Sequence, residues 1–362
     1  MSLLRFRRRR GQDHLADRYI AAVCSEIMAS EKWEPLHAVY FGGGTPSHVA
    51  PGLLGKVLET LDAKHGLSAG AEISLEANPE DFTITRANEL LRRGFNRVSF
   101  GAQSFDSAVL SSLGRRHEAP QIEVSVAQAR EAGFENLSID LIYGAPGESD
   151  DSWKETLRAA VKTDPDHVSC YALTVERGTP LGRSVRAGAE APDPDVQADR
   201  YQLTDEWLAG AGYHRYEVSN WARPGHECRY NLTVWAQGEY EAYGNGAHGF
   251  RRGRRFRNHR RLDAYIERVE SGRTPRAGED RVEGWEAELD RLFVGLRRRV
   301  GAATGPGTEA LLGSDEGRAL LDADVITEEN DRLVVTKPLL TDEVHRSVLS
   351  QVGPIVGGDC DA

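Results

Sequence analysis

Cysteine is scarce in this 362-residue chain, and its four copies lie far apart, at Cys24, Cys170, Cys228 and Cys360. No two of them form a CxxC or CxxxC pair, so a local metal-binding or redox motif of that kind is excluded. A disulfide framework is not expected either, because disulfides are rare in cytosolic proteins. We expect free thiols, with Cys170 packed inside a buried strand.

Long apolar runs and an excess of positive charge are also lacking. No stretch approaches the ~20 apolar residues that cross a bilayer, and the first ten residues contain no apolar core of a signal peptide. The net charge of −11 repels nucleic acid from the surface as a whole. We therefore expect a cytoplasmic protein that binds no nucleic acid and is not itself a membrane protein. Two arginine clusters, at 5–10 and 251–261, are expected to be solvated, with docking on an acidic partner or a membrane surface as the alternative.

Short apolar runs alternate with segments of helical periodicity over the first half of the chain. The expected strands are 38–41, 72–75, 97–101, 137–143 and 168–173, and the expected helices are 15–29, 53–64, 85–93, 120–132 and 152–162. This rhythm predicts an α/β fold with a parallel sheet and right-handed crossovers. After the glycine-rich 301–307, a short helix, an extended segment and a last helix predict a small C-terminal α+β domain of winged-helix type.

Polar residues stand where successive predicted strands end, which is where ligands bind in parallel α/β folds. Gly42–Gly44 follow the first strand, although this glycine run matches neither the P-loop nor the dinucleotide fingerprint. Asp140 is a charged residue inside an apolar run and needs a partner if buried. The strand ends together supply glycine and Thr45, then Glu76, then Gln103 with Arg115, and then Asp140. This set suits a zwitterionic ligand with ribose hydroxyls.

Four sequence blocks carry a resemblance to a known family. They are GGGTPS at 42–47, SLEANPED at 74–81, RVSFGAQSFD at 97–106 with LGRRH at 113–117, and SIDLIYGAPGES at 138–149. In this order and spacing they resemble the radical-SAM family that contains oxygen-independent coproporphyrinogen III oxidase and the haem chaperone HemW. The resemblance covers about residues 15–350 and implies a partial (β/α)6 barrel whose rim binds S-adenosylmethionine (SAM) and a [4Fe–4S] cluster. The SAM-binding residues that it implies are Gly43, Gly44, Thr45, Glu76, Gln103, Arg115, Asp140 and Ala172.

The family's CxxxCxxC loop, which supplies the cluster's thiolates, does not occur in this sequence. The strand at 38–41 corresponds to the family's second, so the first strand is apparently missing. We therefore assign no metal ligands and no catalytic residues, and leave open whether the chain is an enzyme. One explanation is a mis-assigned start of the chain, and the other is a degenerate paralogue. We favour the first, because a barrel without its first strand exposes an unpaired edge.

The segments at 216–231 and 243–249 are similar to the HemW branch. That branch carries an HNxxYW motif, and the corresponding stretch here is YNLTVW at 230–235. Tyrosine is a known axial ligand of haem, so Tyr230 is a candidate ligand in place of the histidine. The resemblance implies a haem site at Tyr230, Asn231 and Trp235, and we add His248, in a glycine-rich turn, as an alternative ligand.

The function expected from this resemblance is that of a haem chaperone, which binds haem and SAM and delivers haem to an acceptor protein, with a membrane-bound acceptor as one candidate. One alternative is a radical-SAM enzyme of porphyrin biosynthesis like coproporphyrinogen III oxidase, and another is a cluster-free SAM-binding regulator. The expected domains are a non-homologous or mis-assigned 1–14, the barrel at 15–183, a HemW-type extension at 184–280 and the winged-helix-like part at 281–362.

Overall fold

The computed structural model describes residues 13–176 and 178–352. The chain divides into two compact units. The first runs to Arg215 and includes Ser219–Tyr230, and the second consists of Tyr216–Val218 and the chain from Asn231 onward. The expected domain boundaries at 184 and 281 stay predictions. None of the described helices is both long and apolar enough to span a membrane.

A mostly parallel sheet forms the centre of the first unit. Its strands are β1 (Leu36–Phe41), β2 (Leu67–Ala77), β3 (Arg97–Gln103), β4 (Asn136–Tyr143), β5 (His167–Ala172), β6 (His214–Glu217) and β7 (Asn220–Ala222). The strand order is β1-β2-β3-β4-β5-β7-β6, with β1 to β5 parallel and β7 antiparallel to β5. The sheet curls into a partial barrel, and among the described residues β1 pairs with β2 alone.

Helices connect the strands of this sheet. They are α1 (Asp13–Ala29), α2 (Pro51–His65), α3 (Ile84–Arg92), α4 (Ser107–Ser112), α5 (Ala119–Ala132), α6 (Asp150–Lys162), α7 (Pro180–Arg186) and α8 (Pro194–Gly210). Side-chain caps fix several starts: Thr83 caps α3, Asp106 caps α4 and Ser149 caps α6. These caps accept hydrogen bonds from helix N–H groups that have no partner within the helix.

The two faces of the parallel sheet differ in polarity because side chains alternate along a strand. On β2, Ile73 and Leu75 point to the apolar face and are buried. The other, inner face carries polar residues in register across the strands. Its members on β1 to β5 include Tyr40, Glu72, Ser74, Glu76, Arg97, Ser99, Ser138, Asp140, His167 and Ser169. The curled sheet therefore encloses a hydrogen-bonding surface, while its outer face packs against the helices.

Helix α9 (Arg229–Trp235) crosses from the first unit into the second at Asn231. The second unit also contains two small antiparallel sheets. The first sheet has the order β10-β9-β8, formed by β8 (His248–Arg251), β9 (Arg254–Asn258) and β10 (Arg276–Arg281). The second has the order β11-β13-β12, formed by β11 (Ala302–Ala303), β12 (Ile326–Glu329) and β13 (Arg332–Val335). The remaining helices are α10 (Leu262–Glu270), α11 (Gly284–Gly295), α12 (Pro306–Gly313), α13 (Asp315–Asp322) and α14 (Thr341–Val352). The last four helices and the second sheet share one apolar core.

Candidate functional site

A glycine loop follows the carboxyl end of β1. Gly43 and Gly44 have φ angles of +77° and +70°, which glycine adopts without strain. In the part of the chain that the structure describes, a Cβ atom built on either of them would meet nothing within 4 Å. A Cβ on Gly42, in contrast, would lie 2.5 Å from the Tyr40 ring and 2.8 Å from Glu76 Oε1. The loop is therefore open on one side, where backbone groups can approach a ligand, and tightly packed on the other.

Glu76, near the end of β2, holds this loop in place. Its Oε2 accepts a hydrogen bond from the Gly43 amide at 3.0 Å, and its Oε1 accepts one from the Tyr40 hydroxyl at 2.8 Å. Burial raises the pKa of Glu76, and the two hydrogen bonds oppose that shift in part. The carboxylate thus fixes the shape of the loop around any ligand that enters it.

Asp140 lies half-buried on the inner face of β4 among hydroxyl groups. Ser99 Oγ is 3.0 Å from each carboxylate oxygen and Ser138 Oγ is 3.5 Å from Oδ1, and Ser169 lies opposite Asp140 in the register of β4 and β5. Burial raises the pKa of Asp140, while these hydroxyls and the charge of Arg97 oppose the shift. Because burial outweighs the partners that the protein supplies, Asp140 is suited to bind hydrogen-bond donors from a ligand.

Arg115 reaches back from the loop after α4 to the end of β3. Its Nη2 donates to the Gly101 carbonyl at 2.7 Å and to Asn78 Oδ1 at 3.0 Å. Gln103 stands beside it with a φ of +68°, which is uncommon for a residue other than glycine. A Cβ on Gly101 would lie 2.9 Å from Gln103 Nε2 and 3.1 Å from Arg115 Nη2. The absence of a side chain at Gly101 leaves the space that these two polar groups occupy.

The structure brings the predicted rim residues together. The charge of Asp140 acts on both Glu76 and Arg115, raising the pKa of each, although burial lowers the pKa of Arg115 overall. Thr45 follows the glycine loop directly, and Ala172 is the last residue of β5. All eight residues expected to contact SAM therefore stand at or near the carboxyl ends of β1 to β5.

A buried histidine supports the same rim. His117 Nδ1 is 3.2 Å from Glu80 Oε2, and its Nε2 is 2.9 Å from the Ala102 carbonyl oxygen. Burial raises the pKa of Glu80, but the hydrogen bond and charge of His117, a backbone hydrogen bond and the charge of Arg115 together lower it overall. This pair ties the end of β3 to the turn after β2, so it stabilises the rim from behind.

The four haem candidates are spread over both units. Tyr230 belongs to the first unit, where its ring stacks on Tyr40 with centroids 4.9 Å apart and planes 17° apart. In the second unit, Trp235 packs against Arg297, and His248 is exposed at the start of β8 opposite Arg257. Among the described residues, no hydrogen bond or ring contact joins His248 to Asn231 or Trp235. The second unit thus offers His248 and the pair Asn231–Trp235 as separate candidates.

Comparison with known proteins identifies the family. Residues 7–160 match the model of the radical SAM superfamily. The heme chaperone HemW of Mycobacterium tuberculosis (strain H37Rv) is 39% identical over 342 residues, which are 92% of this chain and 86% of that protein. The heme chaperone HemW of Bacillus subtilis is 31% identical over 297 residues, which are 81% of this chain and 78% of that protein. The chain belongs to the HemW family of radical SAM proteins.

A solved structure supports the same fold. The coproporphyrinogen III oxidase HemN of Escherichia coli, a radical SAM enzyme, superimposes with a TM-score of 0.78 at 22% identity, over 94% of this chain and 84% of that one. This likeness confirms the predicted α/β fold with a partial radical-SAM barrel. The family resemblance expected from the four sequence blocks is likewise confirmed.

Membership of the radical SAM superfamily implies SAM and a [4Fe–4S] cluster. The residues of this HemW family chain suit SAM, whereas they do not include the family's cluster ligands. The glycine loop, Glu76 and Asp140 offer polar groups of the kind that suit the zwitterion and ribose hydroxyls of SAM. The 362 residues contain no CxxxCxxC motif. Among residues 13–176 and 178–352, no group of three histidine, cysteine or acidic side chains could hold a metal ion. The family's cluster ligands are therefore not found among these residues.

Several residues that shape the site of this HemW family chain were not expected from the sequence. Tyr40, Ser99, Ser138 and Ser169 belong to the polar inner face, and His117 is buried behind the rim. The available signal was the alternation of polar and apolar residues with a period of two, in EISLE at 72–76, RVS at 97–99, SID at 138–140 and HVS at 167–169. It indicates strands with one polar face, whereas a strand buried on both faces is apolar throughout.

Proposed function

We propose that this chain is a haem chaperone of the HemW type, which binds haem and SAM and delivers haem to acceptor proteins. The observation that carries the proposal is the 39% identity to a heme chaperone HemW over 92% of the chain. Identity over nearly the whole length includes both units, so it supports a shared activity better than a match to the barrel alone.

The proposed SAM site is the rim of the first unit. The methionine part of SAM would face Gly43, Gly44 and Thr45. Its amino-acid and ribose groups would be held by Glu76, Gln103, Arg115 and Asp140. Its adenine would lie beside Ala172. The open loop and the carboxylates with raised pKa support this assignment. When bound in this family, SAM supplies radical chemistry only together with the cluster, so we assign no reaction to this chain.

The proposed cargo is haem, with Tyr230, Asn231, Trp235 and His248 as the candidate contacts. Phenolate and imidazole both ligate haem iron, and Trp235 adds a large apolar ring. The partner proposed is an apo-haemoprotein that accepts the cargo, and a membrane-bound respiratory protein is one such acceptor.

Hemin titration of the purified chain tests this proposal. We expect a saturable change in the hemin absorbance at one equivalent, and transfer of the bound haem to apomyoglobin used as a probe acceptor. Tyr230→Phe and His248→Ala are compared in parallel with His214→Ala, a histidine outside the candidate set. Weakened hemin binding in one of the first two variants identifies the ligand. Absence of saturable binding by the unaltered chain would overturn the proposal.

A further inference from the structure

A chain of contacts connects Tyr230 to the glycine loop. Tyr230 stacks on Tyr40 with ring centroids 4.9 Å apart, and the Tyr40 hydroxyl donates to Glu76 Oε1 at 2.8 Å. Glu76 Oε2 then accepts the hydrogen bond of the Gly43 amide at 3.0 Å. Every step is a direct contact within the first unit. The side chain proposed as a haem ligand is therefore only two side chains away from the loop proposed for SAM.

The backbone that carries Tyr230 is anchored to β2. Glu72 Oε1 accepts hydrogen bonds from the Arg229 amide at 3.0 Å and from Cys228 Sγ at 3.6 Å. The Arg229 guanidinium also donates to the Gly70 carbonyl at 2.7 Å. Because Cys228 and Glu72 are buried, this anchor fixes the backbone just before Tyr230. Movement of the Tyr230 side chain therefore acts on the stack with Tyr40.

The glycine loop depends on the same contacts. Among the described residues, a Cβ built on Gly43 or Gly44 would meet nothing within 4 Å, and the side-chain contact described for this part of the loop is the Glu76 hydrogen bond. The Tyr40 hydroxyl is one of the two hydrogen bonds that orient Glu76. Displacement of Tyr40 would remove one of these two hydrogen bonds and leave the Gly43 amide bond, so the Glu76 carboxylate and the loop would be held less tightly.

We infer that haem ligation by Tyr230 and SAM binding at the glycine loop oppose each other through the Tyr230–Tyr40–Glu76–Gly43 contacts. Tyr40 fills the space beside one face of the Tyr230 ring, with centroids 4.9 Å apart, so a porphyrin bound through iron at the Tyr230 hydroxyl would compete with Tyr40 for that space. SAM needs the ordered loop and therefore favours the stacked arrangement. SAM binding thus promotes haem release, which gives the chaperone a signal for delivery. This inference rests on the proposed function.

The test measures the coupling itself. The hemin dissociation constant of the full chain is determined with and without saturating SAM, and the SAM dissociation constant with and without hemin. We expect each ligand to weaken the other by the same factor, since coupling between binding sites is reciprocal, and factors of ~5 to 150 are typical. Tyr40→Phe keeps a ring for the stack but loses the hydroxyl bond to Glu76, so the factor should fall to about one.

Control variants separate coupling from loss of structure. Tyr213→Phe removes a buried hydroxyl that donates to the Pro165 carbonyl, outside these contacts, and should retain the coupling factor of the unaltered chain. Tyr230→Ala should weaken SAM binding more than Tyr230→Phe, because only alanine removes the ring.

The outcomes are distinguishable. If both ligands bind and neither affects the other, or if Tyr40→Phe keeps the full factor, the inference is wrong and the chaperone proposal stands. If hemin or SAM alone does not bind, the proposed function is wrong and the inference falls with it.

Discussion

At the scale of single residues, the site depends on where side chains are absent. Gly42 approaches the Tyr40 ring and the Glu76 carboxylate so closely that a Cβ would lie within 2.8 Å of both. A Cβ on Gly101 would likewise crowd the side chains of Gln103 and Arg115, at 2.9 and 3.1 Å. Neither glycine has a positive φ, so both are required by close packing and not by backbone conformation.

Gly42→Ala should therefore destabilise the first unit. The new methyl group has to displace the Tyr40 ring or the Glu76 carboxylate, and overpacking of this kind costs about 1–3 kcal/mol. The measurement is the free energy of unfolding from urea titration. Gly52→Ala is the matched control, because a Cβ there would have its nearest neighbour at 3.8 Å. Equal stability of the two variants would contradict the close packing described for Gly42.

At the scale of elements, caps and turns position the strands and helices around the site. Asp106 Oδ1 accepts hydrogen bonds from the Ala108 and Val109 amides at 2.7 and 3.2 Å, and its Oδ2 accepts one from Ser152 Oγ at 2.8 Å. One carboxylate thus caps α4 and ties it to the first turn of α6. The Ser152 hydroxyl is the largest contribution that lowers the pKa of Asp106.

Asp106→Ala should cost about 0.5–2 kcal/mol of stability, the usual range for loss of an N-cap. Asp106→Asn keeps an acceptor oxygen for the helix amides and should lose less. Thermal unfolding of the three proteins, evaluated at a common temperature, checks the order. If asparagine proves as damaging as alanine, the charge of Asp106 matters more than its capping bonds.

The hairpin of β12 and β13 makes a second prediction at this scale. Its two turn residues, Asn330 and Asp331, have φ angles of +51° and +56°, as a type I′ turn requires. Asp331→Val should destabilise the second unit by about 1–2 kcal/mol, because a β-branched residue is strained in this conformation. Asp331→Gly relieves the strain and should be at least as stable as the unaltered chain. Urea unfolding measures both, and equal values for valine and glycine would argue against the turn.

At the scale of the whole molecule, buried ionisable groups set the response to pH. His167 is buried against Ser138, with Nδ1 2.8 Å from the serine hydroxyl. Burial lowers the pKa of His167 well below its ordinary value, and the charge of Arg97 adds to this effect. The unfolded chain binds a proton at this histidine below about pH 6.5, whereas the folded chain does not. Stability contributed by neutral His167 is therefore present above that pH and is lost as the pH falls below it.

The unaltered chain should lose more unfolding free energy than His167→Asn between pH 7.5 and 5.5. The extra loss of unfolding free energy in the unaltered chain is at most ~1.4 kcal/mol for each pH unit below the pKa of the histidine in the unfolded chain. Urea titrations at the two pH values give it directly. Burial raises the pKa of Glu76 and Asp140, so these two groups make the folded chain more stable as the pH falls. Burial lowers the pKa of His345, which acts in the same direction as His167. All three groups are present in both proteins, so their effects cancel in the comparison. Parallel pH curves would show that His167 is not held neutral.

The sequence by itself determined the glycine loop, the family and the succession of β1 to β5 with α1, α2, α3, α5 and α6. These features are encoded locally, in periodicity of two or 3.6 residues and in contiguous blocks such as GGGTPS at 42–47. It also determined that no CxxxCxxC motif stands among these 362 residues. The residues expected at the rim lie at consecutive strand ends, so a parallel sheet was enough to bring them to one edge.

Only the tertiary structure decided which side chains touch. The contacts of Tyr40 with Glu76 and Tyr230, and of His117 with Glu80, join residues that are distant along the chain. They depend on strand register and on the curl of the sheet, which turns one polar face inward, and no local pattern fixes either. Tyr230 was expected from the family resemblance as a haem ligand, but its stack on Tyr40 follows from the anchor of Cys228 and Arg229 on Glu72. Such long-range contacts are set by how the whole unit packs.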